Sequence, residues 1–183
     1  MKTIRNRRGS LNRAGAVILF GTVILSGTVS AEADDPSFTM NAIEDAASGR
    51  TILAGRYATA IDRIDVTRGS AVSRFFAANN LCVAQVKAGE IGGAAESCEL
   101  AVATIRGTLG GLPPGRRSAS LELAYRKYLA IALSNRGVLH AVAGKPSRAR
   151  ADFAEAADLE TPIRSPEGNL ARLARAADDA WPR

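Results

Sequence analysis

The chain has 183 residues, of which 46% are hydrophobic, 5% aromatic and 23% charged. That size allows one domain or two very small ones, and the apolar content excludes a wholly disordered chain. Seven Pro and seventeen Gly exclude collagen-like and low-complexity classes. Lys plus Arg number 24 against 18 Asp plus Glu, a formal net charge of +6 that raises nucleic acid as a first partner to test.

The stretch from Met1 to Ala33 carries much of that charge. Residues 1–13 hold Lys2, Arg5, Arg7, Arg8 and Arg13 and no acid, residues 14–31 carry no charge, and Ala31-Glu32-Ala33 follows. A basic start, an apolar middle and an A-x-A site make a secretory signal of bacterial type, with cleavage expected after Ala33. The predicted location is the periplasm. The alternative is an inner-membrane anchor formed by residues 14–31, but Gly21, Thr22, Ser26, Gly27, Thr28 and Ser30 dilute the apolar run. Cleavage removes five of the 24 bases and one of the 18 acids, leaving 19 against 17, a net of +2. A phosphate track needs a dense cationic stripe, and Arg116-Arg117 and Arg126-Lys127 are isolated pairs, so no nucleic-acid partner is expected.

Self-comparison shows repeats. One constant offset, 34, pairs Gly55 with Gly89, Ala60 with Ala94 and Ile64 with Cys98. A second offset, 55, pairs Asn80 with Asn135, Cys82 with Gly137, Gly89 with Gly144, Ala94 with Ala149, Cys98 with Phe153 and Ala101 with Ala156. Three units separated by one insertion explain both offsets.

In residues 133–162, Gly137, Gly144, Ala149, Phe153 and Ala156 fall on the pattern of a helix-turn-helix repeat, with Leu133 in its Trp slot, His140 in place of its Tyr and Pro162 closing it one residue late. This stretch resembles a tetratricopeptide repeat. Arg136 departs from it, since an apolar residue is usual there. The second unit is similar through Leu81, Cys82, Gly89, Ala94 and Ala101, and the first through Gly55, Ala60 and Ile64. The resemblance implies an all-α, right-handed helical solenoid of about three antiparallel hairpins. It spans units at 41–74, 75–108 and 130–163, with an insertion at 109–129.

Local signals supply the map. Residues 34–40 read as a tail and 41–183 as one helical domain. Asn41 is expected to begin a helix, with Glu44 three residues on. Apolar spacing predicts paired helices at 42–53 and 56–67, then 73–87 and 91–107. Gly and Pro mark a loop at 108–117. A long helix should follow from Ser118 to Ala143, then one from Ser147 to Leu159. Ser165-Pro166-Glu167 should open a capping helix at 165–181, with Leu170, Leu173, Ala174, Ala177 and Trp181 in one stripe.

Cys82 and Cys98 are the two cysteines. Each is eight residues from Glu90, so they sit at similar height on the two helices of one hairpin. Export and spacing favour a disulfide; the alternative is a reduced, buried pair. No C-x-x-C, H-E-x-x-H, G-x-S-x-G or phosphate-loop spacing occurs, so no catalytic, metal or cofactor site is expected. His140 fills an aromatic packing slot of the repeat. Asp152, Glu155 and Asp158 read as a solvated face beside Arg148 and Arg150.

In proteins that look like this, the first helices of successive units line a concave groove. On the second unit that surface would include Phe76, Asn79, Asn80, Val83, Val86 and Lys87. On the third it would include Ile131, Ser134, Asn135, Val138, Ala141 and Val142. Asn80 and Asn135 occupy equivalent places and could hydrogen-bond a bound peptide's backbone, or else the protein's own backbone or water. The expectation is a non-enzymatic scaffold holding a protein or peptide in that groove. An envelope enzyme or its regulatory subunit, using the 108–117 loop, and a self-associating structural protein are the alternatives. Membrane contact is expected only if the N-terminal segment stays attached, and the oligomeric state is left open.

Overall fold

The computed structural model describes residues 38–113, 115 and 118–179, with side chains to residue 176. The segment expected to direct export, residues 1–33, and Trp181 lie outside the described residues. Among those described, the chain is all-helical, with seven helices and no strand. These are α1 (Gly49–Leu53), α2 (Tyr57–Arg63), α3 (Ala71–Ala88), α4 (Ile91–Gly110), α5 (Ala119–Val142), α6 (Pro146–Asp158) and α7 (Ser165–Asp179). None of them is long and apolar enough to cross a membrane.

Helices start and stop where the sequence signals them. Ser70 caps α3 by accepting from the Ser73 amide, and Ser118 caps α5 by accepting from the Leu121 amide. Three glycines with positive φ turn the chain between paired helices: Gly55 at 72°, Gly89 at 80° and Gly144 at 69°. Each closes the same pair of backbone bonds. Gly89 N–H reaches Val86 C=O and Glu90 N–H reaches Gln85 C=O; Gly144 and Lys145 do the same to Ala141 and His140. Gly55 and Arg56 repeat this with Ile52 and Thr51. The repeat spacing of the sequence is therefore a repeat of backbone turns.

Each helix packs on its neighbours in chain order, and α1–α3, α3–α5 and α5–α7 also touch. The odd-numbered helices thus form one continuous row. The largest core cluster lies between α3, α4, α5 and α6, with Phe75, Val102, Ile105 and Leu133 fully buried. Alanines fill most of the remaining contact, which is how close helix packing is reached with few aromatics. At equivalent places in two hairpins, different chemistry serves one purpose. A Cβ on Gly137 would stand 2.5 Å from the Phe153 ring, so α5 and α6 approach closely there. In α3 and α4 the same two positions are Cys82 and Cys98, whose sulfurs lie at disulfide distance, 2.02 Å, with Cα atoms 4.8 Å apart.

The start of the chain differs from expectation. Residues 41–48 are not α-helical, and Asn41 is not a helix cap. Residues 38–43 carry no helix or turn; turns follow, with Ala47 at φ 38° and Ser48 at φ 64°. The physical reason is competition for the backbone: side chains from other helices take the N–H and C=O groups that a helix would need. Helix α4 runs to Gly110 rather than ending before the Gly-rich loop, because Gly107 and Gly110 tolerate the helical turn. On α7, Leu173 is buried and Leu170 half-buried, but Ala174 is exposed and leaves the expected stripe.

Candidate functional site

The row of odd helices presents Asn80 from α3, Asn135 from α5 and Asn169 from α7, all fully buried. Asn135 to Asn169 repeats the shorter sequence offset, and Asn80 to Asn135 the longer one. The three amides therefore follow the repeat offsets, from the second and third units to the last helix. Each grips one residue of the segment at 38–43 through both main-chain groups. Asn169 Oδ1 accepts from Thr39 N–H at 2.8 Å, and its Nδ2 donates to Thr39 C=O at 2.9 Å. Asn135 does the same to Asn41 at 2.9 and 3.0 Å, and Asn80 to Ile43 at 2.7 and 2.9 Å.

Residues 39, 41 and 43 are alternate positions, so the chain advances two residues per helix, as an extended strand laid across the row. Two extended residues span about 6.6 Å. Helix axes pack about 8–10 Å apart, a spacing of the same order. An amide side chain suits this task because it carries an acceptor and a donor side by side, as a backbone strand does.

The ladder is cross-braced. Asn79 Nδ2 donates to Asn41 C=O at 3.0 Å, and Asn135 Nδ2 donates to Asn79 Oδ1 at 2.9 Å. Asn169 Nδ2 also reaches Ser134 Oγ at 3.3 Å. Asn80 Nδ2 further meets the carbonyls of Ala46 at 2.7 Å and Ala47 at 3.3 Å, which holds the turn after the strand. Among the described residues, no buried side-chain nitrogen or oxygen lacks a partner. Such a closed network fixes one register for the segment.

The segment's side chains divide by parity. Phe38, Met40 and Ala42 enter apolar clusters beside the asparagines. Phe38 stacks on Phe153 with ring centroids 6.0 Å apart and joins Val138, Ala149 and Leu173. Met40 sits where three apolar clusters meet, touching those of Val83, of the Cys82–Cys98 pair and of Val138. Its unbranched thioether suits an irregular junction. Ala42 packs on the Val83 cluster. At the odd positions, Asn41 Nδ2 donates to Ser165 Oγ at 2.7 Å, Arg172 reaches Thr39 Oγ1 at 3.1 Å, and Ile43 packs against the main core.

These contacts place the residues expected to face a partner. Asn79, Asn80 and Asn135 do bond a peptide backbone, and that backbone belongs to residues 41–47 of the same chain. Val83 and Val138 are buried, and Val86 and Ala141 are half-buried beside Phe38 and Met40. Ile131 and Ser134 are buried, while Phe76 packs on Phe75 and Tyr128. Lys87 and Val142 are exposed at the edge of the face. The open groove expected from the sequence is therefore filled by the segment read there as a tail and helix start. Asn169 and Arg172 were not anticipated. The signal for Asn169 was present, since adding the shorter repeat offset to Asn135 lands on it.

The charged residues behind this face form a second cluster. Arg136 Nε and Nη2 donate to the two Asp152 oxygens at 2.9 and 2.7 Å, and Nη1 donates to Glu99 at 2.6 Å. Asp152 is buried rather than part of a solvated face, because Arg136 on α5 turns inward to meet it. The Asp152 hydrogen bond raises the Arg136 pKa further above its ordinary value. This ion pair is what the structure holds at Arg136, where the resemblance led to the expectation of an apolar residue. His140 lies 3.7 Å from Asp152, beyond hydrogen-bond reach, and both carboxylate oxygens already serve Arg136. Burial holds the His140 pKa below its ordinary value, opposed by the Asp152 charge and aided by Arg136. Among the described residues, no group of three or more His, Cys, Asp or Glu could hold a metal ion.

No protein-family model, curated protein or solved structure matches this chain.

Proposed function

We propose that the protein is an exported, periplasmic scaffold of tetratricopeptide-like hairpins that holds an extended polypeptide segment across its row of first helices. The observation that carries this reading is the asparagine ladder, which binds a strand by its main chain at alternate residues. The equal turns at Gly55, Gly89 and Gly144 support a stacked-hairpin solenoid, with α7 as a further first helix that closes the end. The sulfur pair at Cys82 and Cys98 is compatible with an oxidising compartment. The mechanism is binding rather than turnover: amide pairs fix direction and register, and apolar slots between them accept alternate side chains.

Site-specific photocrosslinking in intact producing cells tests the reading. A crosslinker at Lys87 or Val142, on the exposed edge of the face, should capture a protein. One at Leu123 or Arg150, which are exposed and belong to none of the clusters that hold the segment, should not. Equal capture from all four positions, or capture only from the last two, contradicts a partner at this face.

A further inference from the structure

We propose that residues 38–43 are a displaceable internal occupant of the ladder, and that the partner is an extended segment of another protein with the same alternate pattern. That pattern is an aromatic residue, then an unbranched apolar residue two positions on, then a small residue two further. The inference rests on the scaffold reading above and names what the scaffold selects.

Three observations carry it. First, six of the ladder bonds go to main-chain groups of Thr39, Asn41 and Ile43, which any segment supplies. Recognition of these groups is indifferent to side-chain identity. Second, the slots are specific in shape. Phe153 offers a ring face, the junction of three apolar clusters takes Met40, and the space beside Ala60 and Val83 takes Ala42. Third, the segment is attached to the helices through a turn with two non-glycine residues at positive φ, Ala47 and Ser48. Asn80 holds the Ala46 and Ala47 carbonyls, so the turn can stay in place while residues 38–43 leave the face.

The same turn argues against a second copy as the usual occupant. Asn80 holds the Ala46 and Ala47 carbonyls, and any Cβ on Gly49 would collide with the Ile43 carbonyl oxygen. The fold-back is thus built into the chain that carries the ladder. An attached occupant competes at an effective concentration in the millimolar range. It sets a threshold: a segment that fills the slots poorly does not displace it.

The probe is a fluorescent synthetic peptide with the sequence of residues 38–47, titrated against the full chain. Against the full chain carrying Phe38→Ser and Met40→Ser, affinity should be at least about tenfold tighter than against the unaltered chain, because the internal competitor is weakened. Asn41→Pro, which keeps both apolar side chains but removes the ladder N–H and the Ser165 bond, should give a gain in the same direction by weakening the main-chain grip of the internal segment. Methylating the peptide nitrogens at the Thr39, Asn41 and Ile43 positions should abolish binding, and methylating those at Met40 and Ala42 should not. Replacing the peptide's Phe and Met by Ser should also abolish it. If neither weakened variant binds the peptide while both remain folded, the face is not a ligand site and the scaffold reading itself fails. If the variants and the unaltered chain bind equally well, the scaffold reading stands and the internal-competitor inference is overturned. A dimer of the unaltered chain whose population follows concentration, with residues 38–43 exchanged, overturns the choice of a foreign partner.

Discussion

Replacing Asn135 by Ala strips the Asn41 N–H and the Asn79 Oδ1 of partners at once, while the Asn41 C=O keeps the Asn79 amide. Leaving a buried polar group unpaired costs about 1–3 kcal/mol. The variant should lose that much in urea unfolding, whereas Lys87→Ala, at an exposed site, should stay within about 0.5 kcal/mol of the unaltered protein. Val83 and Val138 behave unlike the partner-facing residues the repeat pattern implied. Both are buried, so Asp at either place would bury a charge and unfold the chain rather than report on binding. Gly137→Ala drives a methyl into the Phe153 ring and should cost about 1–3 kcal/mol, seen as a lower thermal midpoint with the helical signal retained below it.

His140 makes stability depend on pH in a definite direction. Its folded pKa is lowered by burial, so the unfolded chain binds the proton more readily. Its contribution is fully present above the unfolded value and is lost as pH falls through the folded one. Urea midpoints should therefore fall on acidification below about pH 6.5, the ordinary histidine value. His140→Gln should flatten that slope; an unchanged slope would place the dependence on other groups.

Among the elements, the hairpin of α3 and α4 places two sulfurs at disulfide distance where the hairpin of α5 and α6 carries a glycine against a ring. Closing a loop of about 15 residues between Cys82 and Cys98 contributes about 3 kcal/mol in the chain-entropy model. Reduction should lower the unfolding free energy by that order, and α3 and α4 should be the first elements to gain hydrogen exchange. Helices α3 to α7 were legible because apolar spacing, serine caps and turn glycines all agree there. Serine caps α3 and α5, and positive-φ glycine follows α3 and α5, as the repeat requires. The expected first helix fails for a physical reason. Asn41 and Glu44 carry a valid local capping signal, but asparagines 37 to 130 residues away capture that backbone, and no local signal reports so distant a competitor.

For the molecule as a whole, the excess charge and the asparagine face lie in different parts of the chain. Most of the +6 lies between Met1 and Ala33, and the described face binds through amides and apolar slots. The equivalence of Asn80 and Asn135 was visible in the repeat register, as was the idea that they hold a main chain. What occupied them was not visible, because apolar patterning cannot distinguish a slot that awaits a partner from one filled by the chain's own residues. The pattern F-T-M-N-A-I at 38–43 alternates as a half-buried strand does, and that period-two signal was the available clue.

The central claim is that residues 38–43 lie in the ladder as a strand gripped at alternate positions. Residue-resolved amide hydrogen exchange of the full chain by NMR tests it most directly. The amides of Thr39, Asn41 and Ile43 donate to buried asparagines and should be strongly protected, while those of Met40 and Ala42, which the ladder does not engage, should exchange faster. Alternating protection that disappears in Asn135→Ala is the predicted result. Uniformly fast exchange from 38 to 43, or the continuous protection of a helix, would contradict the account.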